Sequence, residues 1–131
     1  MVELKLPWPP SELSPNSRGH FMALARAKKK YRLDCSWTTI QQRQSQGDNL
    51  VGKLRVELTF HRPNRRVYDR DNLLARMKSG LDGVADGLRI DDKRFDTIAV
   101  RVADEIGGFV LVRITGENHA ESNQRPDGEG R

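Results

Sequence analysis

The stretch from Leu54 to Phe60 constrains the fold more than any other part of the chain. Apolar side chains alternate there with charged and polar ones, which is the period of a strand that buries one face. Residues 2 to 6 alternate in the same way and run into a group of prolines, which stop a strand. The chain therefore predicts two half-buried strands, with a loop from residue 7 to residue 19 after the first.

A long helix is predicted between these two strands. Residues 20 to 46 contain neither Gly nor Pro, and apolar side chains recur there near one face, which favours a helix. We expect a break near residues 36 to 39. Trp8 and Trp37 are predicted to fill the core rather than to stack on nucleic-acid bases.

A second helix is predicted from Asn72 to about Asp86, because apolar residues recur there at spacings of three and four. Gly87 is then a plausible terminator. On one continuous helix, Lys78 and Asp82 would share a face with Asp71.

Two further strands, at residues 95 to 103 and 109 to 115, surround a Gly-containing segment that is typical of a hairpin turn. The predicted order is β-α-β-α-β-β. We predict a small α+β single domain over residues 1–115, with a mixed sheet and two helices. Residues 116–131 contain almost no apolar side chains, so we expect a polar, disordered C-terminal tail there.

The composition bounds the function classes. A net charge of +5 in 131 residues suits a polyanionic partner. One cysteine excludes an intrachain disulfide. The first residues lack the apolar stretch of a signal peptide, and no segment has the length of a membrane span. We therefore expect a cytoplasmic protein without a membrane partner.

Four aspartates in two short segments are unusual in so basic a chain. Asp69 and Asp71 stand where the strand ending at Phe60 leads into the second helix, and Asp91 and Asp92 follow that helix. Ionised carboxylates about 5 Å apart repel by roughly 3 kcal/mol, so a converging cluster needs a cation, and Mg²⁺ prefers such oxygen ligands.

This pattern indicates metal-assisted phosphodiester hydrolysis, with Lys78 offsetting charge in the transition state. Each residue also has a structural interpretation. Asp69 can cap the second helix, Asp91 and Asp92 can form a solvated turn, and Lys78 can be an ordinary surface lysine.

Several short motifs resemble, in order, those of the RusA family of Holliday-junction resolvases, as a phage or prophage member, over residues 3 to 115. They are Leu6-Pro7-Trp8-Pro9-Pro10-Ser11, Asp69-Arg70-Asp71-Asn72-Leu73, Leu81-Asp82-Gly83 and Asp91-Asp92. The resemblance implies a homodimeric, Mg²⁺-dependent endonuclease that resolves four-way DNA junctions by paired symmetric nicks.

What the resemblance implies for the site can be stated residue by residue. The catalytic triad matches Asp69, Asp71 and Asp92, and Asp91 is a further metal ligand. Mn²⁺ is an alternative ion, and no small-molecule cofactor is expected. The implied setting is recombination or repair of bacterial or phage DNA.

Basic residues outside the acidic segments are the predicted contacts to branched DNA. The lysine run at 28 to 30, together with Arg26 and Arg32, is either a solvated helix face or a strip that contacts phosphates. The predicted DNA-binding residues are Arg18, Lys28, Lys29, Lys30, Arg65, Arg66 and Arg76.

The chain departs from the family pattern at the catalytic lysine, which usually lies four residues after the second aspartate. Ala75 stands there. Lys78 is the expected substitute, and Arg76 is the second choice. This departure leaves an alternative function open, a protein that binds junctions or branched DNA with weak or no catalysis.

Overall fold

A mixed four-stranded sheet forms one layer of the protein. The computed structural model describes residues 1–15, 20–44, 46 and 50–116. The strands are β1 (Val2–Pro7), β2 (Leu54–His61), β3 (Phe95–Val102) and β4 (Phe109–Gly116). They lie in the order β1-β4-β2-β3. β4 is antiparallel to β1 and β2, and β2 is parallel to β3.

The alternation predicted for the two half-buried strands is confirmed. Leu58 of β2 pairs with Val112 of β4, which pairs with Leu4 of β1, and all three side chains are at most 3% exposed. Their sequence neighbours point to the opposite face, where Arg113 forms an ion pair with Glu3. The sheet therefore has one apolar face and one charged face.

The last two strands do not form the hairpin that was predicted, because β2 lies between them. The connecting loop instead bonds to the end of β2. The Ala103 amide donates to the Phe60 carbonyl at 2.9 Å, and the Gly107 amide donates to the Arg62 carbonyl at 2.8 Å. Gly-rich turn residues indicate that the chain reverses, but they do not identify the neighbouring strand.

Three helices pack against the apolar face of the sheet. They are α1 (Phe21–Arg43), α2 (Arg70–Arg76) and α3 (Lys78–Leu88), and their buried side chains join those of the strands in a single core. The protein is thus a small α+β domain with a mixed sheet and three helices. None of the helices in the described part of the chain is long and apolar enough to cross a membrane.

The predicted second helix is divided at Met77 into α2 and α3. The Met77 amide is shared between the carbonyls of Leu73 and Leu74, at 3.1 and 3.0 Å, and Ser79-Gly80 follows, a pair typical of helix kinks. The expectation of one continuous helix was therefore wrong. Asp71 lies on α2, whereas Lys78 and Asp82 lie on α3, so the three residues do not share one continuous helical face.

Three other expectations are corrected. α1 is continuous through residues 36 to 39. Trp37 is 59% exposed and does not fill the core, whereas Trp8 packs edge-on against Phe60 at 5.8 Å between ring centroids. Gly87 lies inside α3 rather than at its end.

The end of α1 is fixed to the edge strand β1 by two glutamine side chains. Gln42 exchanges two hydrogen bonds with the backbone of Lys5, at 2.7 and 2.9 Å, and Gln46 does the same with Glu3, both at 2.7 Å. Unpaired edge groups are a liability in a sheet, and here Gln42 of α1 and Gln46, three residues beyond its end, satisfy them. The contact also holds α1 in place above the sheet.

α1 and α3 run parallel along a closely packed line that we call the seam. Its residues are Tyr31, Cys35 and Thr39 of α1 and Gly80, Gly83 and Gly87 of α3. A Cβ atom on Gly83 would overlap the Arg32 carbonyl, and one on Gly87 would lie 2.7 Å from the Thr39 Cβ. Burial in the seam raises the pKa of the Cys35 thiol to about 12. Only glycine permits this approach, which fixes the residues beside the seam.

The ends of the described segments bear on two predictions. β4 ends at Gly116, one residue past the predicted domain boundary. The remaining residues of the predicted tail, 117–131, and the predicted DNA contact Arg18 lie outside the described residues.

Candidate active site

A cavity of about 230 Å³ lies where α3 meets the turn that follows it. Four carboxylates and one guanidinium line it, together with two apolar residues. The lining residues are Arg32, Asp82, Ala85, Asp86, Ile90, Asp91 and Asp92. We call this space the acidic cavity.

The chain reaches the acidic cavity by reversing sharply at the end of α3. Arg89 ends the helix in the left-handed conformation, with φ of 60°, and the Ile90 amide donates to the Ala85 carbonyl at 3.0 Å. Ile90 packs against the core. This turn returns Asp91 and Asp92 to the last turns of α3.

A capping contact orients the first of these two aspartates. The Asp91 Oδ1 accepts from the Lys93 amide at 2.9 Å, at the start of a 3₁₀ turn from Asp92 to Arg94. This hydrogen bond lowers the pKa of Asp91. The structural interpretation of Asp91 as a turn residue is therefore confirmed, which leaves its metal-binding role a prediction.

The surroundings of Asp82 in the acidic cavity raise its pKa. Burial raises its pKa, and so does the adjoining carboxyl of Asp92, while the Arg32 charge partly opposes both effects. A carboxyl whose ionised form is disfavoured by burial and by an adjoining carboxyl attracts a proton or a cation. This pair is the part of the cavity where added positive charge would be most stabilising.

Arg32 is held in the cavity by a two-point ion pair. Its Nε donates to Asp86 Oδ2 at 2.7 Å, and its Nη2 donates to Asp86 Oδ1 at 3.0 Å. These hydrogen bonds lower the pKa of Asp86. Asp82 and Asp86, four residues apart on α3, therefore have pKa values shifted in opposite directions.

A second cavity, of about 420 Å³, lies on the other side of Asp82. Three of its lining residues are cations, contributed by α1, α2 and α3. They are Lys28, Arg76 and Lys78. We call it the basic cavity. Asp82 lines both cavities, so clustered positive and negative charges meet at this residue.

The first predicted acidic pair lies elsewhere. Asp69 caps α2, since its Oδ1 accepts from the Asp71 amide at 3.1 Å, as its structural interpretation predicted. Asp69 and Asp71 line neither cavity. Within the described ranges, no three or more His, Cys, Asp or Glu side chains are grouped closely enough to hold a metal ion. The four predicted aspartates are therefore not brought together as one ligand group.

The predicted DNA contacts occupy different surroundings. Lys28 lines the basic cavity, Lys29 is exposed on α1, and Lys30 pairs with Asp34 at 2.9 Å. Arg65 and Arg66 are exposed between β2 and α2. All five of these residues are exposed.

Arg76 is more constrained than the other predicted contacts. Its Nε donates to the Asn72 Oδ1 at 3.2 Å, and its guanidinium carbon lies 5.7 Å from the centre of the Tyr68 ring. These contacts give it a structural role within α2, besides its place in the basic cavity.

Sequence reasoning did not assign Arg32, Asp82 or Asp86 to the active site, although it included Arg32 in a basic strip that could contact phosphates. A signal was present, because Lys78, Asp82 and Asp86 recur at intervals of four residues, which places them on one side of a helix. For Arg32, the basic strip did not indicate a position beside these carboxylates. Its position depends on how closely α1 approaches α3.

Comparison with known proteins relates the chain to a bacterial protein of similar length. No protein-family model matches it. A protein of Xylella fastidiosa (strain Temecula1 / ATCC 700964), described as an uncharacterized protein, is 37% identical over 132 residues, which cover 96% of this chain and 84% of that protein. The chain belongs to the same family as this Xylella protein.

Proposed function

We propose that this protein is a metal-dependent, structure-selective DNA endonuclease of the RusA type, which resolves four-way junctions. The observation that carries the proposal is the position of Asp82 between the acidic and basic cavities. A phosphodiester backbone needs cations to bind it, and its hydrolysis needs carboxylates that hold a metal ion or direct water. Both kinds of group are adjacent here.

The carboxylates suit Mg²⁺ in kind. Mg²⁺ keeps several waters and is commonly held by one or two carboxylates together with substrate phosphate oxygens. Asp82 and Asp92 are the adjoining pair that would hold it, with Asp91 beside them. When bound, the ion would polarise the phosphate and lower the pKa of the attacking water.

The resemblance to RusA resolvases supports the same proposal from the sequence. It assigns catalysis to Asp69, Asp71 and Asp92, of which only Asp92 lies in the acidic cavity. It also implies a homodimer, which suits the reaction because two symmetric nicks require two sites related by a two-fold axis. Lys78, in the basic cavity, is the proposed substitute for the lysine that Ala75 lacks.

The test is cleavage of a labelled synthetic four-way junction beside a linear duplex of the same sequence, each with Mg²⁺ and with EDTA. The proposal predicts paired symmetric nicks in the junction alone, only with Mg²⁺. Absence of both cleavage and selective junction binding would contradict it.

A variant of the first acidic pair tests what the resemblance adds. Asp71→Asn is expected to lose cleavage by orders of magnitude while keeping or tightening junction binding, because it removes negative charge that would face phosphate. Binding is measured by gel shift in EDTA. Cleavage at the wild-type rate would remove Asp71 from the proposed site.

A second candidate function is junction binding with weak or no catalysis. Ala75 favours it, since no lysine stands at the expected position. The same junction experiment separates the two functions. Tight, selective binding without nicks in Mg²⁺ or Mn²⁺ would support the binding protein over the endonuclease.

A further inference from the structure

We infer that Arg32 is a catalytic cation of this site, contacting the scissile phosphate in the acidic cavity while Asp86 positions its guanidinium. The inference deepens the proposed endonuclease function and rests on it. It concerns the residue that supplies positive charge where the substrate reacts.

The first observation is that Arg32 is fixed at both ends. Its carbonyl lies against Gly83 in the seam, where no Cβ atom fits. Its guanidinium is held by Asp86 at 2.7 and 3.0 Å. A preorganised cation stabilises a developing negative charge without reorganising during the reaction.

The second observation is that part of the guanidinium has no assigned hydrogen bond. Asp86 engages Nε and one N–H of Nη2, which leaves Nη1 and the second Nη2 proton without a hydrogen-bond acceptor among the described residues. These donors belong to a side chain that lines the same cavity as Asp82, Asp91 and Asp92. Arginine presents its donors in a planar fork that matches two phosphate oxygens.

The third observation is that the Arg32–Asp86 ion pair contributes little to the stability of the fold. Its two side chains are 51% and 44% exposed, and pairs so exposed contribute at most about 1 kcal/mol. An ion pair on the open face of the sheet, Arg113 with Glu3, has nearly the same exposure, 51% and 57%. The Arg113 pair also lines a cavity, but Glu57 is the one further carboxylate there, whereas Asp82, Asp91 and Asp92 surround the Arg32 pair.

The role of Arg32 in hydrolysis is electrostatic. The oxygen of a water molecule forms a bond to phosphorus, and the bond from phosphorus to one ester oxygen breaks. One water proton passes to solvent, and the departing oxygen takes a proton from solvent. Arg32 stays protonated throughout and offsets the negative charge on the two non-bridging phosphate oxygens.

The experiment compares single-turnover cleavage of a four-way junction by the full-length wild type, Arg32→Gln and Arg113→Gln. Arg113→Gln is the matched control, because it removes an equally exposed arginine and its ion pair on the charged face of the sheet. We expect Arg32→Gln to lose about 100-fold or more in rate, with junction affinity within about threefold of wild type. Arg113→Gln should cleave within about threefold of wild type.

Further variants separate a catalytic role from a structural one. Arg32→Ala should recover part of its rate when guanidinium ion is added, at concentrations that leave the wild-type rate and the fold unchanged by circular dichroism. Arg32→Lys should be intermediate, since it keeps the charge and loses the fork. Asp86→Asn should slow cleavage by less than Arg32→Gln.

The outcomes separate a failure of the inference about Arg32 from a failure of the proposed endonuclease function. If wild type cleaves and Arg32→Gln cleaves equally fast, the inference is wrong and the endonuclease proposal stands. Loss of rate in Arg32→Ala that guanidinium does not restore would also overturn the inference. If wild type cleaves no junction, both fail together.

Discussion

The seam and the acidic cavity both involve α1 and α3, with the turn after α3 completing the cavity, and they have opposite properties. In the seam, glycines bring α3 against α1 with no room for a methyl group. A few ångströms away, the same helices present charged, partly exposed side chains to solvent. Arg32 contacts both, because its carbonyl lies against Gly83 of the seam and its guanidinium lines the cavity. The difference indicates that packing in the seam holds the fold and sets the geometry of charges that contribute little to stability themselves.

The largest expected effect comes from breaking the seam. Gly83→Ala would place a methyl group against the Arg32 carbonyl, which is backbone and cannot rotate away. We expect a loss of about 3 kcal/mol in the free energy of unfolding, measured by urea denaturation.

The control for this change is Ser79→Ala on the same helix. The Ser79 hydroxyl is buried and has no hydrogen-bond partner among the described residues, so its removal should be neutral or slightly stabilising. A Gly83→Ala protein as stable as wild type would show that the seam is not tight.

A smaller loss in the free energy of unfolding is expected when the hydrogen bond made by Tyr31, at the start of the seam, is removed. The Tyr31 hydroxyl donates to the Pro7 carbonyl at 2.6 Å, and burial raises the pKa of this phenol well above its ordinary value. Tyr31→Phe should cost about 1 kcal/mol in the same denaturation experiment. Tyr68→Phe is the matched control, because its hydroxyl makes only a 3.4 Å contact with Asn64 in an exposed loop; equal losses would contradict the account.

The smallest changes in the free energy of unfolding are expected for two variants of the acidic cavity, Asp82→Asn and Asp86→Asn. The two changes should be opposite in sign. Because the folded-state pKa of Asp82 is raised, its ionisation opposes folding at pH 7, and Asp82→Asn should be the more stable protein there. The folded-state pKa of Asp86 is lowered, so its ionisation favours folding and Asp86→Asn should be less stable. Both differences should stay under about 1 kcal/mol, since these side chains are largely solvated.

The pH dependence checks these signs. As the pH falls from 7 through the raised pKa of Asp82 towards about 4, wild type gains the proton and the advantage of Asp82→Asn should disappear. The deficit of Asp86→Asn should persist to lower pH and vanish only below the ordinary Asp range. Urea denaturation in EDTA at several pH values measures both, and differences of the same sign at pH 7 would contradict the assignment.

Most of the secondary structure was predictable because it depends on local periodicity. The alternation from Leu54 to Phe60 and the spacing in α3 report burial directly. The strand order was not predictable, since the insertion of β2 between β3 and β4 depends on contacts between distant segments. The break at Met77 had a local cause, the Ser79-Gly80 pair, which the apolar spacing obscured.

The site was predictable only in part for the same reason. Asp91 and Asp92 stood out because they are adjacent carboxylates in a basic chain. The helical spacing of Asp82 was recognised, but it was counted from Asp71, which lies on the other side of the break at Met77. Arg32 enters the acidic cavity because glycines let α1 approach α3, and no residue near Arg32 encodes that approach.

The most direct test of the proposed site is a pair of measurements on Asp92→Asn, because Asp92 is the residue of the implied catalytic triad that lines the acidic cavity. We predict that junction cleavage in Mg²⁺ falls by orders of magnitude while the free energy of unfolding in EDTA stays within about 1 kcal/mol of wild type. Cleavage at the wild-type rate by Asp92→Asn would contradict the claim that the acidic cavity is where the reaction occurs.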